Sequence, residues 1–181
     1  ETFDAITSDP LDPWVKGAAM LYTREFFQLA KARLNQGGVM TLFVQLYEST
    51  TEAVKSEIGT FFEVFPEGMI FANTYNGQGY DLVLLGQKDP GPIDLDEIQA
   101  RLDQPEYAAV AASLREIGMA SAVDLFGTYA GRAADFSSWL TDAQINRDRN
   151  LRLQYLAGQG LNLYTADRIF SQMRTYGQPP P

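Results

Sequence analysis

The chain has 181 residues, of which 45% are hydrophobic and 20% charged, and this is enough for one domain with a buried core. Its formal net charge of −9 argues against nonspecific nucleic-acid binding, because such binding depends on clustered Lys and Arg. The sequence contains no Cys and no His, which excludes disulfides, a Ser-His-Asp triad and His-ligated metal sites, so any general base must be a carboxylate, Lys or Tyr.

The first part of the chain alternates between strand and helix patterns. Residues 3–8 predict a short strand, Thr23 is placed to cap a helix, and residues 39–45 predict a strand of the kind that is buried on both faces of a parallel sheet. A capping box that begins at Ser49 starts the next helix. Its apolar positions recur at helical spacing, at Val54, Ile58, Phe61, Phe62 and Phe65.

Two further apolar segments, residues 69–75 and 80–86, are joined by the turn NGQG and predict an antiparallel hairpin. The order strand, helix, strand, helix, strand, strand predicts an α/β fold. It corresponds to the second half of a class I methyltransferase-like (Rossmann-like) sheet that ends in a β-hairpin. A complete sheet of that kind has about three further strands upstream, so we expect the chain to be part of a truncated or split domain.

From residue 88 onward the sequence predicts an α-helical tail. The chain is therefore expected to divide into an α/β part, residues 1–87, and a helical extension, residues 88–181. Asp94 caps the first helix of this extension, and Pro105 starts another. Helical patterns then continue over residues 119–130, 133–143, 148–158 and 163–174. No apolar run approaches the ~20 residues that a membrane-spanning helix needs.

The sharpest chemical feature is a pair of carboxylates, Asp9 and Asp12, just after the first strand. In open α/β sheets ligands bind beyond the carboxyl ends of the strands, so both side chains could face a pocket there. The alternative is that they form Asx turns beside Pro10 and Pro13. The spacing alone leaves both interpretations open.

The segment FDAITSDPLDPW resembles the motif of the spermidine synthase family, in which a hydrophobic strand is followed by Asp-Ser-Ser-Asp-Pro. The positions that match in register are Phe3, Asp4, Ile6, Asp9, Asp12 and Pro13. The likeness continues to residue 87. Within it, Gln45 stands at the family's strand-ending Gln, and residues 74–79 resemble its Thr-Tyr-Pro-Ser-Gly loop. The later segment INRDRNLRLQYLAG is similar to the variant of the family that is fused behind transporter-like membrane segments.

This resemblance implies an aminopropyl transfer from decarboxylated S-adenosylmethionine, the cosubstrate, to a small diamine. It assigns Asp9 as the general base, with Asp12, Gln45 and Tyr75 positioning the amine. No Gly-x-Gly-x-Gly turn follows an early strand, so we expect no cofactor-binding residue in this chain and no transfer by this chain alone. No metal-binding residues are expected.

Three functional hypotheses stay open. The first is a spermidine synthase-like protein fragment, inactive alone. The second is a non-catalytic structural or interaction subunit, which fits Pro10 and Leu11 standing where the family has small polar residues. The third is a related S-adenosylmethionine-dependent methyltransferase, which has no general need for two carboxylates in that loop.

We expect the partner of this chain to be its own missing N-terminal half or another protein subunit, because the strand at residues 3–8 would otherwise be an unpaired edge. The resemblance implies a bacterial-type protein on the cytoplasmic side. It would be membrane-associated only through segments or partners outside this chain.

Overall fold

A mixed five-stranded sheet is the centre of the first compact unit of the protein, in a computed structural model that describes residues 1–180 apart from the side chain of Tyr75. Its strands are β1 (Phe3–Ser8), β2 (Leu34–Gln45), β3 (Met69–Tyr75), β4 (Gln78–Gln87) and β5 (Tyr129–Arg132). Their spatial order is β1-β2-β4-β3-β5. β1 and β2 are parallel, whereas β4 runs antiparallel to both β2 and β3. This confirms the predicted half of a methyltransferase-like sheet with its terminal hairpin.

Helices α1 (Arg24–Arg33) and α2 (Thr51–Val64) follow β1 and β2 and share a core with the sheet. Thr23 caps α1, as predicted. The cap of α2 is Thr50, whose hydroxyl accepts the Ala53 amide at 3.1 Å, and not Ser49. A 3₁₀ turn, Ala18–Tyr22, leads from the loop after β1 into α1.

The predicted apolar stripe of α2 forms the centre of this core. Phe61 meets Phe27 edge-to-face at 5.2 Å and stacks on Phe65 at 4.8 Å. Fully burying one such ring contributes about 1.5–3 kcal/mol. A Cβ added at Gly86 would overlap the Phe65 ring, which explains a glycine inside a strand. The sheet residues on this side are fully buried, and they are Met40, Leu42, Val44, Ile70, Leu82 and Leu84.

The remaining helices are α3 (Leu95–Leu102), α4 (Ala108–Glu116), α5 (Ala122–Phe126), α6 (Arg152–Gly158) and α7 (Ala166–Arg174). The first three lie in a second compact unit, Gly91–Tyr129, whereas α6 and α7 belong to the first unit. The division of the chain at residue 87 stays a prediction. None of the helices in residues 1–180 is long and apolar enough to cross a membrane.

Two of the predicted helices in the tail are wrong. α5 ends at Phe126 and β5 follows, so residues 119–130 are not one helix. Residues 133–143 form successive turns, which begin where the Ala133 amide bonds to the carbonyl of Gly68. The turns bury Phe136 and Trp139 in the core, and this explains the helix-like spacing of apolar residues without a helix.

Candidate functional site

Polar side chains form a row across three strands at the edge of the sheet where the parallel strands end. Gln45, the last residue of β2, lies opposite Asp81 of β4, and Asp81 lies opposite Asn73 of β3. Because β4 is antiparallel to β2, its first residues reach the same edge as the last residues of β2. Gln45 and Asp81 are 5% and 8% exposed. The Asn73 amide donates to the Asp81 carboxylate at 3.4 Å.

The loop after β1 brings Asp9 and Asp12 to this edge. Asp9 is exposed and Asp12 is half-buried. The carbonyl of Asp12 accepts the Val15 amide at 2.9 Å, which closes a turn. Within the described part of the chain neither carboxylate accepts a hydrogen bond, so the Asx turns of the alternative interpretation are not formed there. Trp14, two residues after Asp12, packs against the core.

Two tyrosines lie within electrostatic range of these carboxylates. Burial raises the pKa of the Tyr22 hydroxyl, and the charges of Glu57, Asp12 and Asp9 raise it further. Burial also raises the pKa of Tyr47, with contributions from Tyr80, Asp12, Asp81 and Asp9. The ring of Tyr47 lies 4.8 Å from that of Tyr80. Both tyrosines are therefore neutral donors beside several carboxylates.

Glu57 and Asp81 are carboxylates whose surroundings favour the protonated form. Burial raises the pKa of Glu57 well above its usual value, and the charge of Asp12 adds to this. Burial also raises the pKa of Asp81. The Asn73 hydrogen bond lowers that pKa in part, and the charge of Asp9 raises it again. We call Asp9, Asp12, Glu57 and Asp81 the acidic cluster.

The acidic cluster with its aromatic neighbours suits an organic cation. Carboxylates form strong charge-assisted hydrogen bonds with ammonium groups. The faces of tyrosine rings attract cations as well. Within residues 1–180, no three carboxylates converge as a metal ion requires. The arrangement can therefore bind a protonated amine and accept a proton from it.

Of the predicted site residues, Asp9, Asp12 and Gln45 lie at the same edge of the sheet. Tyr75 ends β3 at that edge, but its side chain lies outside the described residues. Their proposed roles in catalysis and amine binding stay predictions.

Sequence reasoning missed Tyr22, Tyr47, Glu57 and Asp81. A signal existed for Glu57, because it interrupts the apolar stripe of α2 between Val54 and Phe61. Asp81 carried a weaker signal as an acidic residue inside an apolar strand. The two tyrosines lie in segments that have no motif.

The fold is that of a methyltransferase-like α/β protein, with the acidic cluster near the carboxyl ends of its parallel strands. The chain belongs to the spermine/spermidine synthase domain family, whose model matches residues 1–93. Among curated proteins, none matches the sequence.

Two solved structures are similar to the chain. One is a probable spermidine synthase from Corynebacterium glutamicum ATCC 13032, with 19% identity and a TM-score of 0.47 over 81% of this chain and 48% of that chain. The other is a spermidine synthase in complex with the transition state analogue AdoDATO, with 18% identity and a TM-score of 0.37 over 56% of this chain and 41% of that chain. The chain thus spans less than half the length of either protein.

Proposed function

We propose that this chain supplies the amine-binding side of an aminopropyl transfer. The observation that carries the proposal is that Asp9, Asp12 and Asp81 lie near the carboxyl ends of the parallel strands, in a chain of the spermine/spermidine synthase domain family. The charges of all three act on Tyr47. A small diamine is the proposed substrate. Its amino groups have pKa values near ~10 and are protonated at neutral pH, so an acidic site binds them.

Asp9 is the proposed general base. Its carboxylate is exposed and has no hydrogen-bond partner among the described residues, so it is free to accept a proton from a bound ammonium. The freed amine nitrogen then attacks the aminopropyl carbon, the bond from that carbon to sulfur breaks, and the sulfonium becomes a neutral thioether. Asp12, Gln45 and Tyr75 are the proposed residues that orient the amine.

The cosubstrate, decarboxylated S-adenosylmethionine, requires a partner in this proposal. The chain has no glycine-rich turn after an early strand. The partner is the N-terminal half of the same domain or another subunit, and it would pair with β1, an edge strand with four of its six residues exposed. The isolated chain should accordingly associate, which light scattering measures. A monomer with a cooperative melt would contradict this part of the proposal.

The second candidate is a non-catalytic interaction subunit. Leu11 favours it, because this apolar side chain is 71% exposed in the loop between Asp9 and Asp12. An exposed leucine beside the acidic cluster is suited to a protein partner and contributes nothing to amine recognition.

The fusion to transporter-like membrane segments is a further proposal. It is supported by the likeness of residues 145–158 to the corresponding segment of that family variant. Membrane fractionation of the full-length gene product tests it, and recovery of that product only in the soluble fraction would contradict it.

Two measurements test the proposed function. Calorimetry of the chain with putrescine tests amine binding. Aminopropyl transfer to putrescine and spermidine by the full-length gene product tests catalysis. Asp12→Asn should weaken binding, whereas Glu67→Gln, at an exposed carboxylate two residues before β3 and at the opposite edge of the sheet, should not. If the unaltered protein shows neither putrescine binding nor aminopropyl transfer, the amine-binding proposal is refuted and the interaction subunit remains as the function.

A further inference from the structure

Glu57 has no structural explanation in the core that surrounds it. Its side chain is 1% exposed, and both carboxylate oxygens are without a hydrogen-bond partner in the described part of the chain. Buried polar groups in native proteins nearly always have a partner. An exception in a helix that is otherwise packed by Phe and Ile points to a role outside packing.

The position of Glu57 connects it to the amine site. α2 packs against the 3₁₀ turn Ala18–Tyr22, which follows the Asp12 loop directly along the chain. The charge of Asp12 acts on Glu57, and the charge of Glu57 in turn acts on Tyr22, the last residue of this turn. α6 packs on α2 as well and contributes the buried side chains of Leu153 and Leu156.

The basic residues on α2 and on the elements packed against it have other partners. They pair as Arg24 with Glu63, Lys31 with the Val64 carbonyl, Arg33 with the Glu1 carbonyl, Lys55 with Asp142, and Arg152 with Gln144. None of these contacts involves Glu57. A bound cationic ligand would supply the positive charge that these residues do not.

We infer that Glu57 is a positioning residue of the amine site and releases a proton when a cation occupies Asp9 and Asp12. The inference rests on the proposed function, because it requires an amine at that site. In the empty site, burial and the charge of Asp12 keep the Glu57 carboxyl neutral. A bound ammonium offsets the charge of Asp12 and also places a positive charge near the buried carboxyl, which lowers the cost that burial sets on its ionisation. The O–H bond of Glu57 then breaks, and its proton passes to the solvent. The carboxylate that remains attracts the ligand.

This device makes amine binding depend on pH in a defined direction. In the range where Glu57 is neutral in the empty site and ionised in the occupied one, each bound ligand releases up to one proton. Linkage then raises the affinity by up to about tenfold for each pH unit.

The test is calorimetric titration of the chain with putrescine at pH 6–8 in two buffers with different ionisation enthalpies. The difference between buffers gives the number of protons released. We compare the unaltered chain with Glu57→Gln, which keeps the shape of the side chain but cannot ionise. The control is Glu52→Gln, the same change at an exposed position in the first turn of α2.

The expected result is proton release by the unaltered chain and by Glu52→Gln, and none by Glu57→Gln, whose affinity should change little with pH. Binding without proton release, or release that persists in Glu57→Gln, overturns this inference and leaves the proposed function standing. If putrescine does not bind to the unaltered chain, the amine site itself is refuted and the inference falls with it.

Discussion

Replacing Glu57 by Gln should change how the stability of the empty protein depends on pH. The folded-state pKa of Glu57 is raised above its unfolded value, so its contribution is most favourable below that unfolded value of about 4.3. As the pH rises from there, the unfolded chain loses the proton while the folded chain keeps it. Stability is lost progressively until the pH passes through the folded-state pKa.

The magnitude of this pH dependence follows from the single proton that Glu57 binds. Within that window the unaltered protein should lose up to about 1.4 kcal/mol for each pH unit relative to Glu57→Gln, which binds no proton in either state. For a chain of this size, the difference between the melting temperatures of the unaltered protein and Glu57→Gln should therefore change by about 3–6 °C for each pH unit.

Differential scanning calorimetry at pH 5–8 and constant ionic strength measures the effect. Taking the difference between the two variants cancels the titration of the other acidic groups. The exposed Glu52→Gln variant should follow the unaltered protein at every pH. A difference between Glu57→Gln and the unaltered protein that stays constant from pH 5 to pH 8 would refute the reasoning, since it would mean that Glu57 is ionised in the folded state throughout.

Three further predictions concern single positions. Asp9→Asn in the full-length gene product should lower aminopropyl transfer by roughly 10²- to 10⁴-fold with the fold intact by circular dichroism; unchanged turnover would exclude Asp9 as the base. Gly86→Ala places a methyl group in the Phe65 ring and should cost about 1–3 kcal/mol in urea unfolding. Gly91→Ala, where a Cβ meets nothing within 4 Å, should stay within about 0.5 kcal/mol, and equal effects would contradict the packing account. Asn146→Ala should cost about 1–3 kcal/mol, because its side chain bonds two buried backbone groups that would be left unpaired; an unchanged urea midpoint would be inconsistent with this.

Periodicity and turn chemistry predicted most of the sheet and the helices that cover it. The hairpin was predicted from its Asn-Gly turn, and Asn76 and Gly77 do adopt the positive φ values, 52° and 76°, that such turns require. The helix at residues 133–143 was wrong because apolar spacing records which side chains are buried, not how the backbone is bonded. There, backbone bonds to Gly68 and within short turns take the place of a helical ladder.

The site was harder to predict than the fold. Asp9, Asp12 and Gln45 were placed by their resemblance to a motif. Glu57 and Asp81 belong to the same cluster through tertiary packing, and no local pattern joins α2 or β4 to the loop after β1. Asn146, the first Asn of the tail segment INRDRN, has a structural role. Its side chain donates to the Ala19 carbonyl at 2.7 Å and accepts the Leu153 amide at 3.1 Å.

The position of β4 between β2 and β3 has a consequence for the order in which the protein folds. We expect the hairpin, whose strands are joined by a short turn, to close before its second strand pairs with β2, and this pairing places Asp81 opposite Gln45. The amide of Leu46, which bonds to the Tyr80 carbonyl at 3.2 Å, continues the same contact beyond the strand end. Contacts between segments distant in sequence tend to form late, so we expect the proposed amine site to be assembled after α2. We therefore expect local opening of the hairpin to separate Asp81 from Gln45, and so to weaken the proposed amine binding, while the parallel pair β1–β2 stays folded.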